Sequence, residues 1–372
     1  MSQSSRVHGG PDALGIPEYD FSTNSNASGP CPQALASVQA ADATRYPDAS
    51  YSDLRAEVAE FCGVAPWRIA LAGSASEFIY RFTAWARQQG ARSVGLPAHA
   101  YGDYAYAARA WGLVPQSCCA DADLVWACEP SSPLGKNHST WPAWVAPQCA
   151  ASPSALGVEE PTGGHTECDA EAAQPTHSGQ RAHVVLDCAY APLRISGTPS
   201  ISDVQRQQVW QLFSPNKALG LTGIRAAFAI APLGAVGAPA QLDELAPSWV
   251  IGAHGVAMLQ AWTRTDTQAW LHKSLQILHH WKQRQVQGLE ALGWQIQPSD
   301  VPFFCAQPPA GVDVSVLLAA LRERGVKLRD ATSFGLTGWV RLGALPPVAQ
   351  DALFEAIASV LPPARTDLEK TL

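Results

Sequence analysis

Within Leu212-Phe-Ser-Pro-Asn-Lys217-Ala-Leu-Gly-Leu-Thr-Gly-Ile-Arg225 a single lysine sits among small and apolar residues, with Ser214 three positions before it and Arg225 eight after. An ammonium is strongly hydrated. A lysine placed in a dry site therefore has a lowered pKa, and its free amine can form a Schiff base with a carbonyl. Ser214 and Arg225 would supply a hydroxyl and a two-pronged fork, the donors a phosphate dianion takes. Lysine, phosphate cup and apolar packing together suggest pyridoxal 5′-phosphate (PLP). From this segment alone, a lysine that lays its stem on apolar surface beside a structural arginine would read the same.

The surrounding pattern places these residues. Val209–Phe213 reads as a strand that ends at the Ser214–Lys217 turn, and Ala226–Ala231 continues the sheet. His183-Val-Val-Leu-Asp187 reads as a buried parallel strand delivering Asp187 at its carboxyl end, where ligands sit in open α/β sheets; Cys188-Ala-Tyr190 follows. Ile69–Ala72 runs into Gly73-Ser74-Ala75-Ser76 and then an apolar helix, Phe78–Gln89. Strand, small-residue turn and helix start present backbone N–H groups to a phosphate. Upstream, Leu35–Ala43 reads as a short helix, and a second begins at Ser52 as cap, with Leu54, Val58 and Phe61 on one face and Cys62-Gly63 as its end. Ser93–Pro97 and Asp123–Cys128 read as strands around a helix over Tyr101–Trp111, and Glu129-Pro-Ser-Ser132-Pro-Leu-Gly135 as a tight turn.

A long helical region follows Pro247 and runs to about Leu292. Beyond it, Phe303–Ala306 is a strand and Val314–Arg324 a helix with Val316, Leu317 and Leu321 on one face. Val326–Arg329 and Gly338–Leu342 are short strands, and Gln350–Leu361 closes the chain as a helix. The alternation argues α/β with a mostly parallel central sheet and a small α+β C-terminal domain. The expected organisation is 1–45 as an N-terminal arm and part of the small domain, 46–260 as the large domain, and 261–372 as linker helix and small domain. Within the large domain, 146–180 is rich in Ala, Pro, Gly, Ser and Thr and reads as a flexible surface insertion.

Length and charge narrow the classes. The 372 residues allow one large and one small domain, and the net charge of −7 without a long basic run argues against nucleic acid as the main partner. No apolar run approaches the ~20 residues a membrane helix needs, and the first ten residues lack the apolar core of a signal peptide. Nine cysteines without metal spacing read as reduced thiols of a cytoplasmic protein. His165, Cys168 and His177 in the insertion lack the spacing of a metal site, so no metal is expected.

The succession Asp20-Phe-Ser-Thr-Asn24, Arg45-Tyr46-Pro47-Asp48, Pro130-Ser-Ser-Pro-Leu-Gly135, Asp187-Cys-Ala-Tyr190, Ser214-Pro-Asn-Lys217 and Arg341 resembles the fold-type I PLP-dependent enzymes, more closely their histidinol-phosphate aminotransferase branch. With His8-Gly9-Gly10 at the N-terminus it looks most like the threonine-phosphate decarboxylases of cobalamin biosynthesis. The resemblance covers nearly the whole chain except the insertion. It implies that Lys217 holds PLP and moves the proton at Cα, and that Asp187 keeps the pyridine nitrogen protonated. It also implies Tyr190 and Ser132 at the ring oxygen, and Ser74, Ala75, Ser76, Ser214 and Arg225 around the phosphate. His99 stacks on the ring, with Tyr101 the alternative if the loop register slips. Tyr46 reaches the phosphate of a neighbouring subunit, which implies a homodimer. Arg341 clamps the substrate carboxylate, and Arg329, Asn24 and His8 are candidates for the substrate's own phosphate.

The chain departs from that pattern at Ser131 and Ser132, where asparagines are usual, at Cys188, which replaces an acid, and at Ala72-Gly-Ser-Ala-Ser, which replaces a glycine-rich turn. The reading that follows is decarboxylation of L-threonine O-3-phosphate to aminopropanol phosphate. Transamination of a phosphorylated amino compound such as histidinol phosphate is the alternative. A non-catalytic regulator on the same fold is a third, against which the joint presence of Lys217, Asp187, Tyr190 and Arg225 argues.

Overall fold

The computed structural model describes residues 8–116, 121–146 and 181–361. All but the first residue of the insertion expected at 146–180 lies outside them. In chain order, β1 (Tyr19–Asp20), α1 (Pro32–Gln39) and α2 (Ser52–Cys62) precede β2 (Ile69–Ala72), α3 (Ala75–Gln88), β3 (Ser93–Gly95), α4 (Gly102–Ala110) and β4 (Val114–Pro115). Then come β5 (Leu124–Cys128), β6 (His183–Asp187), α5 (Asp203–Arg206), β7 (Trp210–Phe213), β8 (Ala227–Ile230), α6 (Ala238–Glu244) and α7 (Ala253–Trp262).

These strands form one seven-stranded sheet in the order β2-β8-β7-β6-β5-β3-β4. Pairing is parallel from β7 across to β4 and antiparallel on both sides of β8, so six strands share one direction and β8 alone opposes them. The carboxyl ends of β2, β3, β5, β6 and β7 therefore open on the same edge. β6 pairs β5 over five residues and reads Val-Val-Leu between His183 and Asp187, as a strand covered on both faces should. On one side α3, α4 and α6 bury Phe78, Phe82, Trp85 and Tyr104 against Trp126 and Trp210. On the other, α1, α2 and α7 cover Leu71, Phe228 and Ile230.

From the large sheet the chain passes into α8 (Thr265–Ala291), 27 residues long. Its early turns bury Leu271 and Leu278 in the core shared with α7, and its last turn buries Leu289 in a separate core. That second core lies under β9 (Gln295–Ile296), β10 (Phe303–Gln307), α9 (Val314–Glu323), β11 (Val326–Lys327), β12 (Arg329–Asp330), β13 (Val340–Gly343) and α10 (Pro347–Val360). No helix among the described residues is long and apolar enough to cross a membrane.

Three local expectations are corrected. Ser52 does not cap α2: the carboxylate of Asp48 accepts the Ser52 and Ser50 amides at 2.7 and 3.1 Å, and Tyr51 turns left-handed (φ 50°) ahead of the helix. Ser52 is already the first helical residue, one place past the capping position that Tyr51 occupies, so its hydroxyl is not where a cap must sit. Phe61 and Val316 do not share the buried faces of Leu54 and Val58 and of Leu317 and Leu321, being 40% and 64% exposed. Phe61 protrudes from the last turn with its ring edge toward Trp262, while the buried stripe of α9 is the i, i+4 pair Leu317 and Leu321. Finally, Val326–Arg329 is not one strand. Residues 326–327 pair in parallel with β1, whereas 329–330 pair antiparallel with β13 and set Arg329 directly opposite Arg341.

Candidate active site

At the carboxyl edge of the large sheet lies a cavity of about 150 Å³, floored by the ends of β5, β6 and β7 and walled by the start of α3. Lys217, Asp187, Tyr190, Ser214, Ser132, Arg225 and the Ser74-Ala75-Ser76 turn all line it. Residues up to 151 positions apart in the chain meet there because four parallel strands end at one edge.

Each side chain has an identifiable anchor. Lys217 Nζ donates to Ser214 Oγ at 3.1 Å and stands 5.5 Å from the centre of the Tyr190 ring. Asp187 is fully buried, which pushes its carboxyl above the usual range, while Tyr104 and the charge of Lys217 pull it back. Its Oδ2 accepts from the Tyr104 hydroxyl at 2.6 Å and its Oδ1 from the Ala189 amide at 2.9 Å. Tyr104 comes from α4 and is held by a stack on Trp126, with ring centres 4.9 Å apart. Ser74 caps α3, its Oγ accepting the Glu77 amide at 3.0 Å, so its hydroxyl hydrogen is left to donate. Ser76 Oγ and the Tyr101 hydroxyl share a hydrogen bond of 3.1 Å across the cavity rim.

A second cavity of about 320 Å³ adjoins the first and shares Tyr101, Ser132, Tyr190, Lys217 and Arg225 with it. Arg341, Arg329, Asn24 and His8 all line this second space. Arg341 donates through Nη1 to Ser132 Oγ at 3.1 Å and through Nη2 to the Ser22 carbonyl at 2.8 Å, and its buried Nε has no partner among the described residues. Arg329 donates to the Asp330 carbonyl and to Ser333 Oγ, both at 2.7 Å, and lies 5.0 Å over the Phe334 ring. Burial and the neighbouring Arg341 bring its guanidinium down to about 10. Like charges directly opposite on adjacent strands are destabilising. Two buried guanidiniums in that register make a site that an anion stabilises.

The geometry refines several expectations. Tyr101, not His99, lines both cavities; His99 turns away and its Nδ1 donates to the Phe334 carbonyl at 2.7 Å. Ser132 serves Arg341 as an acceptor. Asn24 donates one amide N–H to the Tyr190 hydroxyl at 3.2 Å, and its buried Oδ1 has no partner among the described residues. The second N–H of that amide is left to donate, so Asn24 still has something to offer an anion in the second cavity. Tyr46 is 77% exposed and stacks on Trp249 with ring centres 4.3 Å apart, away from this chain's own cavities. Sequence reasoning passed over Tyr104, Cys128 and Asn216, which also line the first cavity. Tyr104 carried a signal: a tyrosine on the buried face of an apolar helix needs a partner for its hydroxyl.

These residues fit PLP. Among the described residues the buried Asp187 carboxylate has only neutral direct donors, so a protonated ring nitrogen would supply its missing counter-charge. Arg225, the start of α3 and two serine hydroxyls offer the donor set of a phosphate. Lys217 stands between them.

Comparison with known proteins agrees with this arrangement. The profile of the family described as "Aminotransferase class I and II" matches residues 173–360. Histidinol-phosphate aminotransferase 1 of Bordetella parapertussis is 25% identical over 346 residues, 92% of this chain and 90% of that protein. Among solved structures, histidinol-phosphate aminotransferase from Sinorhizobium meliloti in complex with pyridoxal-5′-phosphate superposes with a TM-score of 0.68 at 20% identity, covering 91% of this chain and 90% of the other. L-threonine-O-3-phosphate decarboxylase from Porphyromonas gingivalis gives 0.67 at 17%, covering 91% and 98%.

Proposed function

This chain belongs to the aminotransferase class I and II family, with the fold-type I architecture and PLP as its cofactor, and we propose that it transfers an amino group between a small phosphorylated amino compound and a keto acid. The observation that carries this reading is the pair of buried arginines, Arg329 opposite Arg341, in the cavity that adjoins Lys217. A transaminase must seat two partners in turn. A phosphorylated amine and a dicarboxylate such as glutamate both present an anionic group at a distance from the reacting carbon. Arg341, which lines the second cavity together with Lys217 and holds Ser132, takes a carboxylate at that carbon; Arg329 takes the distal phosphate or carboxylate.

Bound PLP supplies an aldehyde that condenses with an amine and a ring that draws electrons from the bond breaking at Cα. Asp187 would hold the proton on the ring nitrogen, and the Tyr104 hydroxyl favours its ionised form against the effect of burial. Tyr190 would donate to the ring oxygen, and Ser74, Ser76, Ser214 and Arg225 would hold the phosphate. The free amine of Lys217 would take the proton from the substrate's Cα and, for amino transfer, give it up at the cofactor carbon that bore the aldehyde and not back at Cα, a role its place beside Ser214 and over the Tyr190 ring suits. Tyr46, exposed and braced by Trp249, faces a second copy of the chain in a homodimer.

A second reading is decarboxylation of a phosphorylated amino acid such as L-threonine O-3-phosphate. It is favoured by the same two arginines, which also suit one short substrate bearing both carboxylate and phosphate. The test incubates PLP-loaded enzyme with L-histidinol phosphate and 2-oxoglutarate, and separately with L-threonine O-3-phosphate alone. Glutamate formed only when the phosphorylated amine is present supports transamination. Carbon dioxide released without a keto acid replaces it with the second reading. Neither product from either mixture overturns both.

A further inference from the structure

The N-terminal arm does more than cover the substrate cavity; it is tied to the element that holds Arg341. His8 and Gly9 line the cavity, His8 with its ring 6.4 Å from that of Tyr101. Gly9 lies so close to Ser22 that a Cβ would stand 2.1 Å from the Ser22 carbonyl oxygen, and only glycine allows that approach. The Gly10 amide donates to Ser22 Oγ at 2.9 Å, and the Ser22 carbonyl accepts from Arg341. One residue thus anchors the arm with its side chain and the carboxylate clamp with its backbone.

Two residues further along the arm, Asp12 is caught between α9 and β11. Its carboxylate accepts from Arg322 Nη2 at 3.0 Å and Nε at 3.2 Å, and Lys327 Nζ stands 2.7 Å away. The same Lys327 donates to the Gly10 carbonyl at 2.6 Å, and Arg322 to the Gly15 carbonyl at 3.0 Å. A two-pronged arginine contact reinforced by a lysine fixes a chain direction that an isolated surface pair would not. We propose that Asp12 is a positioning residue: clasped by Arg322 and Lys327, it lays the arm across the cavity so that His8 and Gly9 complete the wall against which an anionic substrate binds. This rests on the reading that the second cavity takes a phosphorylated substrate. Binding and arm closure are then coupled, and each strengthens the other.

The test compares wild type, Asp12→Asn and Asp12→Glu as PLP-loaded enzymes, by amide hydrogen exchange over residues 9–15 with and without inorganic phosphate, and by steady-state kinetics. Asp12→Asn is expected to speed arm exchange, to abolish the slowing that phosphate causes in wild type, and to raise KM about threefold with kcat and the cofactor spectrum unchanged. Asp12→Glu is expected to recover most of both. Added salt should move wild type toward Asp12→Asn, because the clasp is partly open to solvent. Arm exchange as slow in Asp12→Asn as in wild type overturns the clasp. A loosened arm with unchanged phosphate affinity and KM overturns its role in binding. The exchange measurements need no turnover, so they decide the proposal even if neither substrate class is processed.

Discussion

Replacing Tyr104 by phenylalanine tests how the cofactor site is held. The substitution keeps the stack on Trp126 and removes only the hydroxyl that donates to Asp187 Oδ2 at 2.6 Å. Both side chains are fully buried or nearly so, so water cannot replace that donor. A hydrogen bond to a charged group contributes about 1.5–3 kcal/mol. The lower end applies, because the Ala189 amide still donates to the other oxygen. About 1.5 kcal/mol corresponds to a roughly tenfold weaker hold on PLP. The direction with pH follows from the same contact. Burial already raises the Asp187 carboxyl and the Tyr104 hydroxyl lowers it, so Tyr104→Phe raises it further. The ring nitrogen's partner must be ionised, hence the acid-side loss of PLP binding should move to higher pH in the variant. Titration of cofactor-free protein with PLP, followed by visible absorbance across pH, measures both quantities. An unchanged PLP affinity with an unchanged acid limb would refute the reasoning and leave Asp187 held by something other than Tyr104.

Two further outcomes are expected. Lys217→Ala should leave no PLP covalently trapped by borohydride on the protein, read by mass spectrometry, and should lower turnover at least about a hundredfold; a trapped adduct at another residue would displace Lys217 from its role. Burial lowers the Lys282 ammonium from 10.5 to about 8, against an opposing push from Asp300. Between those values the unfolded chain binds more protons than the native one, so stability should rise as pH increases from 8 toward 10.5. Lys282→Met should flatten that rise in Tm and raise Tm at pH 7; a wild-type slope in the variant would show that the lysine is not the cause.

The chemistry of this protein was legible in the sequence wherever it is local. Lys217 with Ser214 and Arg225, Asp187 at the end of an apolar strand, and the Ser74–Ser76 turn opening a helix each declare themselves within a few residues. Backbone direction and side-chain chemistry there depend only on neighbours in the chain. β6 is legible for the same reason: it needs no partner to be recognised as apolar, and the structure reproduces its limits, His183–Asp187. What required the tertiary structure is everything set by register. Arg329 and Arg341 lie opposite each other because β12 joins β13, although 326–329 reads as one strand with no break. Tyr104 meets Asp187 across 83 positions because α4 packs over the end of β6. A loop's path chose Tyr101 over His99, and the offset of Val316 from the buried stripe of α9 exposed it. Periodicity identifies a face, but only packing decides what that face meets.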